Sequence, residues 1–545
     1  MGVIGPREFL AELSANIAAN DLIKARLVLS HLGEMEEGTR ERALFEILRA
    51  ADTFSIPLIA ELMATQPDLA DSHPALKETL YSKVLDHPEV LLDLLRTGKG
   101  VWSRVYLAEV AGELRLQEAV PILVGLLTSD TEVDMLKAAL YALGLIGDPR
   151  ATAAVAEYLY SEDMDLIGTA VFALGQFATP TAVTRLAERI GADPGLDGLI
   201  LDVLARIQTP ESIEQLNQTL GSHHAHVRAL GKLKLIEAGA KSYPVLVKNL
   251  RHNDPDLLIH TLNILGEIGD GAAIGPIREL LQSEPRDPNV RFAAYEALGR
   301  LPLEKRSYAL AAGLQDPVAN VRAAAAGAID RNFSVALAAG IKNMIRAQSA
   351  EAHNLVLTII DSQCDNIFQS LMDEEFFQDT ALNYLIYKAH PDLRLHFARR
   401  LAEIGREDLA RRLTGVEKEE KRPRLVVYAV DDSKLILKIY RGVLHNLGCE
   451  PHLFEFPVQA LEQVKNKRPD VILTDLNMPE MTGLELTRHV RRWYGRSELP
   501  IIMVTTQNDL TDSEAAYQAG VNAILSKPFT EEDIGRTLAE FAGLK

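Results

Sequence analysis

Residues 471–483 read VILTDLNMPEMTG, and this stretch decides the fold of the C-terminal part of the chain. Four apolar or β-branched residues run directly into Asp475 and then into a loop, which predicts a buried strand that ends at a carboxylate. A lone aspartate at a strand end is usually a turn former or a helix cap. The role of Asp475 therefore depends on which other side chains lie beside it.

The sequence on both sides of this stretch alternates between strand-like and helical patterns. The strand-like segments are LVVYAV at 425–430, PHLFEF at 451–456, VILTD at 471–475, IIMVT at 501–505 and AILS at 523–526. A helical pattern follows each of them. Five strands that alternate with five helices predict a doubly wound parallel sheet.

Charged and hydroxyl side chains stand at the ends of four predicted strands. They are Asp431 and Asp432 after the first strand, Asp475 after the third, Thr505 at the fourth and Lys527 after the fifth. Ligands of such sheets bind outside the carboxyl ends of the strands, so we expect these side chains to converge. Three clustered carboxylates need a cation, and an all-oxygen site suits Mg²⁺. The metal and the ammonium together would neutralise a phosphoryl group on Asp475.

Each of these residues also has a simpler interpretation when it is taken alone. The Asp431–Asp432 pair by itself is typical of a helix cap, and Lys527 by itself is typical of a solvated lysine. The convergence of all five residues at one edge favours phosphoryl chemistry instead.

Five motifs in this part of the chain occur in a familiar order. They are VDDS at 430–433, TDLNMPEMTGLEL at 474–486, PIIMVTTQ at 500–507, AGVNAI at 519–524 and SKPFT at 526–530. With them, residues 425–545 closely resemble the receiver domain of two-component response regulators, especially the single-domain chemotaxis type. The resemblance implies that Asp475 accepts phosphate from a histidine kinase.

The same resemblance assigns the other residues of the site. It implies that Asp431, Asp432, Asp475 and the backbone carbonyl of Asn477 hold Mg²⁺. It also implies that Thr505 hydrogen-bonds to the phosphoryl group, that Lys527 pairs with it and that the Lys527–Pro528 peptide bond is cis.

One switch position departs from the pattern of many receivers. Ile524 stands where they carry an aromatic residue that swings inward when the threonine moves. Because isoleucine cannot make the same movement, we expect Thr505 and Ile524 to signal through backbone shifts.

A second pattern fills the chain before residue 414. The segment ALYALGLIGDPRATAAVAEYL around Gly144 recurs in weaker form from Gly112 to Asp330, at intervals of 29 to 33 residues. Each unit has two apolar helical stretches separated by a Gly/Asp/Pro break, so neighbouring helical hairpins must stack to cover their apolar faces. The pattern at 142–151 resembles HEAT repeats of the short kind, also known from bilin-lyase proteins. In the motif DPNVR and its relative NVR, we interpret Arg291 and Arg322 as structural residues that brace consecutive repeats.

These patterns predict the domain organisation. We expect an N-terminal helical cap with degenerate repeats at 1–100, HEAT-like repeats at 101–335 and capping helices at 336–413. An exposed charged linker at 414–424 leads into a receiver domain at 425–545. An irregular helical bundle remains an alternative at the two ends of the repeat array, where the period fades. The predicted fold class is an all-α solenoid followed by a (βα)5 doubly wound sheet.

Composition narrows the possible functions. The formal net charge of −19 opposes binding to nucleic acid, and the repeat array of residues 1–423 carries most of it, with 43 basic and 59 acidic side chains. No apolar run approaches the length needed to cross a bilayer, so we expect no membrane insertion. Cys364 and Cys449 are far apart and suggest neither a disulfide framework nor a zinc site, which favours the cytoplasm.

A histidine cluster offers a second candidate metal site. His223, His224 and His226 lie together in GSHHAHVRAL, but they align with the turn of neighbouring repeats and no carboxylate lies within five residues. We therefore favour a solvated turn over a metal site, with the metal site as the alternative.

The sequence as a whole predicts a cytoplasmic, bacterial-type phospho-acceptor protein that is not an enzyme in the ordinary sense. In this interpretation, phosphorylation of the receiver regulates how a HEAT-repeat scaffold binds an unidentified protein partner. One alternative is a receiver-gated solenoid enzyme of the bilin-lyase type. The other is a phosphate sink, in which the receiver only removes phosphoryl groups from a kinase and the solenoid only localises the receiver.

Overall fold

The computed structural model describes residues 5–66, 68, 72–97, 101–415, 425–506 and 510–542. The chain divides into two compact units, Met1–Gln215 and Leu216–Lys545. The predicted linker at 414–424 falls almost entirely outside the described residues. None of the helices that the structure describes is both long and apolar enough to cross a membrane.

The first unit is built from short helices that stack as hairpins. Gly144 shows why a small residue recurs in this pattern, because a Cβ atom there would lie 2.9 Å from the Cα atom of Ala173 in the next repeat. Gly147 ends its helix in the left-handed conformation at a φ of 75°, which favours glycine. The α-helices are Pro6–Ala18, Leu22–Leu29, Glu37–Arg49, Asp52–Thr65, Ala75–Asp86, Pro88–Thr97, Val101–Glu113, Val120–Ser129, Val133–Ile146, Thr152–Ala156, Met164–Phe177, Pro180–Ala187 and Pro194–Ile207, and Pro210–Gln218 crosses into the second unit; the 3₁₀ helices are Leu32–Glu34, Gln117–Ala119, Pro149–Ala151 and Glu157–Tyr160.

The second unit begins with more repeats of the same kind. Their α-helices are Ala225–Ala238, Tyr243–Asn249, Pro255–Ile268, Ile274–Gln282, Pro288–Arg300, Ala319–Arg331, Val335–Arg346, Ala350–Asp361, Asp365–Leu371, Glu375–Tyr387, Pro391–Glu403 and Glu407–Thr414, with 3₁₀ helices at Thr219–Gly221, Gly239–Lys241, Gly271–Ala273 and Glu304–Gln315. Arg291 donates to the carbonyl oxygen of Pro285 at 2.7 Å and pairs with Asp316 of the next repeat at 2.7 and 3.1 Å. Arg322 donates in the same way to the carbonyl oxygen of Asp316 at 2.8 Å. Arg291 thus braces consecutive repeats as predicted, whereas the bonds of Arg322 stay within the turn before its own helix.

The second unit ends in a five-stranded parallel sheet. The strands are β1 (Val426–Val430), β2 (Glu450–Phe454), β3 (Val471–Thr474), β4 (Ile501–Thr505) and β5 (Ala523–Ser526), and the helices are Lys434–Asn446, Pro457–Asn466, Gly483–Arg491, Leu510–Ala519 and Glu531–Ala542. The strand order is β2-β1-β3-β4-β5, so β1, β3 and β4 are the central strands.

Successive strand residues point to opposite faces of the sheet, so both faces carry apolar side chains and helices cover both of them. Val427 and Ala429 of β1 pack with Tyr440 on one face, and Tyr428 and Val430 pack on the other. The predicted fold class, a HEAT-like solenoid followed by a (βα)5 doubly wound sheet, is confirmed. The exact domain boundaries stay predictions.

Candidate active site

The central strands bring the predicted polar residues to one edge of the sheet. The amide of Asp475 donates to the carbonyl oxygen of Val430 at 2.9 Å, so Asp475 leaves β3 level with Asp431, which follows β1. In the same way the amide of Lys527 donates to the carbonyl oxygen of Thr505 at 2.8 Å. The hydrogen-bonded register of the parallel strands thus sets the positions of these side chains.

Lys527 connects two of the carboxylates. Its ammonium lies 2.7 Å from Oδ2 of Asp431 and 3.0 Å from Oδ1 of Asp475. The exposed fractions of the three side chains are small, at 11% for Lys527, 1% for Asp431 and 12% for Asp475. Such shielding strengthens each attraction and also raises the cost of any charge that stays unbalanced.

Burial dominates the pKa shifts of the carboxylates at this edge. Burial raises the pKa of Asp431 to about 7; Lys527 opposes this shift, while Asp475 and Asp432 add to it. Burial also raises the pKa of Asp432, with Lys232 opposing. Burial alone would lower the pKa of Lys527, but Asp431 and Asp475 outweigh it and hold that pKa well above its ordinary value. A single ammonium contacts two carboxylates here, and a third carboxylate, that of Asp432, directly follows Asp431 in the chain.

The remaining predicted residues lie around this cluster. Thr505 is the last residue of β4 and is 4% exposed. The amide of Asn477 donates to Oδ2 of Asp475 at 3.2 Å, which places the Asn477 backbone beside that carboxylate. The peptide bond between Lys527 and Pro528 is cis, as predicted.

Ile524 lies within β5, behind the cluster. Its side chain is partly buried and packs against a hydrophobic group made of Leu476, Leu484, Met503, Ala516, Val521 and Ala225. Leu476 directly follows Asp475, so the candidate switch residue is packed next to the candidate acceptor loop.

Gly483 is a positioning residue that the sequence reasoning passed over. A Cβ atom at this position would lie 2.1 Å from the carbonyl oxygen of Asp475, so only glycine permits the loop to close on itself. Thr482 caps the helix that starts there and forms a reciprocal capping box with Glu485. The signal was visible in the quoted stretch, because threonine and glycine before an apolar helix mark a helix start.

The residues at this edge fit Mg²⁺. The available donors are hard oxygens, namely the carboxylates of Asp431, Asp432 and Asp475 and the carbonyl of Asn477. Within the described ranges, no three His, Cys, Asp or Glu side chains converge closely enough to hold a metal by themselves. Magnesium does not need such a cage, since it keeps several waters and usually takes one or two carboxylates. The excess negative charge is what a divalent cation would offset.

Solenoid residues also reach this edge of the sheet. The side-chain amide of Asn289 donates to the carbonyl oxygen of Lys527 at 2.6 Å, and the hydroxyl of Ser433 donates to Glu296 at 3.3 Å. Glu296 is 8% exposed, and burial raises its pKa. The burial of Glu296 becomes visible only in the folded chain, so the sequence reasoning did not identify this contact.

The histidine cluster occupies the start of a repeat helix. Helix Ala225–Ala238 begins directly after His224, and the rings of His224 and His226 lie 5.7 Å apart. His223 and His224 precede this helix and His226 lies in its first turn, so the choice between a solvated turn and a metal site stays a prediction.

Comparisons with known proteins match both parts of the chain. The model of the response regulator receiver domain matches residues 427–539, and that of HEAT repeats matches 88–170 and 243–330. A chemotaxis protein CheY homolog of Campylobacter jejuni is 40% identical over 116 residues, which are 21% of this chain and 89% of that protein. The aerobic respiration control sensor protein ArcB of Escherichia coli is 33% identical over 119 residues, 22% of this chain and 15% of that protein.

Solved structures match the same region. One is the receiver domain of a sensor histidine kinase of Pseudomonas aeruginosa, with a magnesium ion coordinated in its active site cleft. It is 30% identical and covers 22% of this chain and 99% of its own, with a TM-score of 0.21.

The sheet topology, the acidic residues with their lysine, the receiver-domain model and the CheY relative define a receiver-domain protein of two-component signalling. The chain belongs to the response regulator receiver family, and it carries HEAT repeats before the receiver. The bilin-lyase-like subtype of the repeats stays a prediction.

Proposed function

We propose that Asp475 accepts a phosphoryl group from a phosphohistidine of a histidine kinase, and that this modification regulates the HEAT-repeat scaffold. The observation that carries the proposal is the position of the Lys527 ammonium, 2.7 Å from Asp431 and 3.0 Å from Asp475 at the strand-end edge. A fixed ammonium beside a carboxylate stabilises the charge that gathers when a phosphoryl group arrives.

The transfer step itself needs little covalent chemistry from the protein. A carboxylate oxygen of Asp475 attacks the phosphorus atom, the new O–P bond forms as the N–P bond breaks, and the departing imidazole nitrogen keeps the electron pair. Lys527 then pairs with one phosphoryl oxygen, and the hydroxyl of Thr505 donates a hydrogen bond to another.

Magnesium is the cofactor of the proposed site. Asp431, Asp432, Asp475 and the carbonyl of Asn477 would hold it, and when bound it supplies charge neutralisation for the phosphoryl oxygens. The amide of Asn477 also orients the acceptor, because it donates to one oxygen of Asp475.

The repeats are the proposed output of the protein. Stacked helical hairpins present extended surfaces suited to binding another protein. The excess of acidic side chains on residues 1–423 disfavours nucleic acid as that partner.

Phosphoryl uptake tests the acceptor assignment. We expect the full chain to gain one phosphoryl group from acetyl phosphate with Mg²⁺, measured by intact mass, and Asp475→Asn to gain none because the amide is no nucleophile. Asp470→Asn is the matched control, since Asp470 precedes the same strand and its carboxylate accepts the backbone amide of Val426 rather than facing the strand-end cluster. Labelling of Asp475→Asn at the level of the native chain would show that the assignment is wrong.

A further inference from the structure

Repeats of the second unit pack against the strand-end edge that holds the candidate acceptor. We name helix Pro288–Arg300 the covering helix, because it supplies Asn289 to Lys527 and Glu296 to Ser433. These two bonds hold the loops after β5 and after β1. Strand β1 pairs directly with β3, the strand that leads into Asp475, whereas β5 lies beyond β4. Phe292, on the same helix, packs against the hydrophobic core of the receiver.

A second repeat helix reaches the receiver from another direction. Ala225, the first residue of helix Ala225–Ala238, is buried in the hydrophobic group of Leu476 and Leu484. These two leucines belong to the loop and helix that follow Asp475. Solenoid residues therefore contact the segments after β1, β3 and β5.

The first receiver helix, Lys434–Asn446, extends this contact along the solenoid. It packs against helices Ala319–Arg331 and Ala350–Asp361. The ammonium of Lys438 donates to the carbonyl oxygen of Ser362 at 2.7 Å. Polar and apolar contacts thus continue beyond the acceptor edge.

We propose that this part of the solenoid is an intramolecular cover over Asp475, and that a phosphodonor reaches the acceptor only when the cover opens. The inference rests on the proposed function of Asp475. In-line transfer requires the donor to approach Asp475 from outside the strand ends, and Asn289 and Glu296 stand at that edge. The closed state therefore competes with the donor for one surface.

Access decides this effect more than charge does. Glu296 adds negative charge beside the cluster, which would oppose a phosphoryl group, but the positive charges of Lys232 and Arg300 in the solenoid act on Asp432 and would attract one. The two influences have opposite signs. The cover acts by occupying the approach path and by holding the loops with hydrogen bonds.

A single isosteric change opens the cover without disturbing its helix. Asn289→Asp replaces the amide donor with a carboxylate that faces the carbonyl oxygen of Lys527. An aspartate in the first turn suits the helix dipole, so the covering helix keeps its stability. The matched control is Asn366→Asp, because Asn366 also lies in the first turn of a repeat helix and donates to a backbone carbonyl, that of Asp330 at 3.0 Å.

The test is the rate of phosphoryl uptake by the full chain from acetyl phosphate with Mg²⁺. We expect Asn289→Asp to react about two- to tenfold faster than the native chain, the range for losing one hydrogen bond of a two-state contact. Asn366→Asp should react at the native rate. The affinity for beryllium fluoride, a phosphoryl mimic, should rise in Asn289→Asp by the same factor.

The outcomes separate the two proposals. If the native chain reacts at Asp475 but Asn289→Asp shows neither a faster reaction nor tighter beryllium fluoride binding, the cover is refuted and the acceptor stands. If Asp475→Asn is labelled like the native chain, the acceptor assignment fails and the cover falls with it.

Discussion

At the scale of single residues, Lys527 takes part in both proposals, the phosphoryl acceptor site and the intramolecular cover. Its ammonium holds Asp431 and Asp475, and its backbone carbonyl accepts the side-chain amide of Asn289 from the solenoid. A shift of Lys527 toward an arriving phosphoryl group would therefore strain the bond to the covering helix. One residue links the chemistry to the contact between domains.

A residue outside the acceptor site makes stability depend on pH. Asp361, at the end of a repeat helix, accepts a hydrogen bond from the Tyr384 hydroxyl at 2.7 Å, and burial raises its pKa to about 6. Because this folded-state pKa lies above the ordinary value of 3.8, the protonated form favours folding. Its contribution is complete below about pH 4 and is lost as the pH rises through about 6.

We therefore expect Asp361→Asn to stabilise the second unit at pH 8 by about 1–3 kcal/mol and much less at pH 4. The asparagine carbonyl still accepts the bond from Tyr384 but carries no charge. Thermal unfolding at the two pH values measures the difference. An equal change in melting temperature at both pH values would contradict this account of Asp361.

The acceptor residues could be predicted from sequence, and the residues that cover them could not. Asp431, Asp475 and Lys527 each follow a strand, so local pattern and the geometry of parallel sheets are enough to bring them together. Asn289 lies 238 positions from Lys527, and Glu296 lies 137 positions from Ser433. No local pattern connects such partners, because their contact depends on how two separately folded elements pack.

At the scale of helices and strands, two kinds of interaction hold neighbouring repeats together: close packing at small residues and arginine–aspartate pairs. Small residues let helices of neighbouring repeats approach closely, as at Gly299, where a Cβ atom would lie 2.9 Å from the Cα atom of Ala328. The Arg291–Asp316 pair then ties consecutive repeats through two parallel hydrogen bonds. Both devices were visible as period and motif, which is why the solenoid could be predicted in detail.

Replacing Arg291 by lysine tests the second device. We expect Arg291→Lys to lower the free energy of unfolding of the second unit by about 1–3 kcal/mol, because lysine cannot form the two-pronged bond to Asp316. Arg536→Lys is the control within the same unit, since Arg536 makes an exposed pair with Glu532 that is worth little. Chemical unfolding of both variants gives the comparison, and equal midpoints for the two would refute a bracing role for Arg291.

At the scale of the whole molecule, the sequence did not indicate which repeat residues contact the receiver. The charged segment at 414–424 suggested separate domains. The repeat array and the receiver are both acidic, so their net charges did not indicate that they contact each other. The contact is made instead by hydrogen bonds and by apolar groups such as Phe292 and Ala225. Individually these residues look like ordinary members of a repeat.

This contact gives phosphorylation a route to the scaffold. The hydrophobic group that packs against Ile524 contains Ala225 of the solenoid. A backbone shift at Ile524 would therefore displace the start of the repeat helix Ala225–Ala238. A ligand changes such an equilibrium only by its different affinity for the two states, and couplings of about 1–3 kcal/mol are usual. That range corresponds to a measurable change in the population of the open cover.

Hydrogen exchange of the full chain, with and without beryllium fluoride and Mg²⁺, tests the central claim most directly. We predict that residues 225–238, 288–300 and 434–446 lose protection when the mimic binds, and that Asp475→Asn shows no such loss. The result that would contradict the account is a response confined to the loops around Asp431 and Asp475, with all three helices unchanged. The receiver would then act as a phosphate sink, and the solenoid would not sense its phosphorylation.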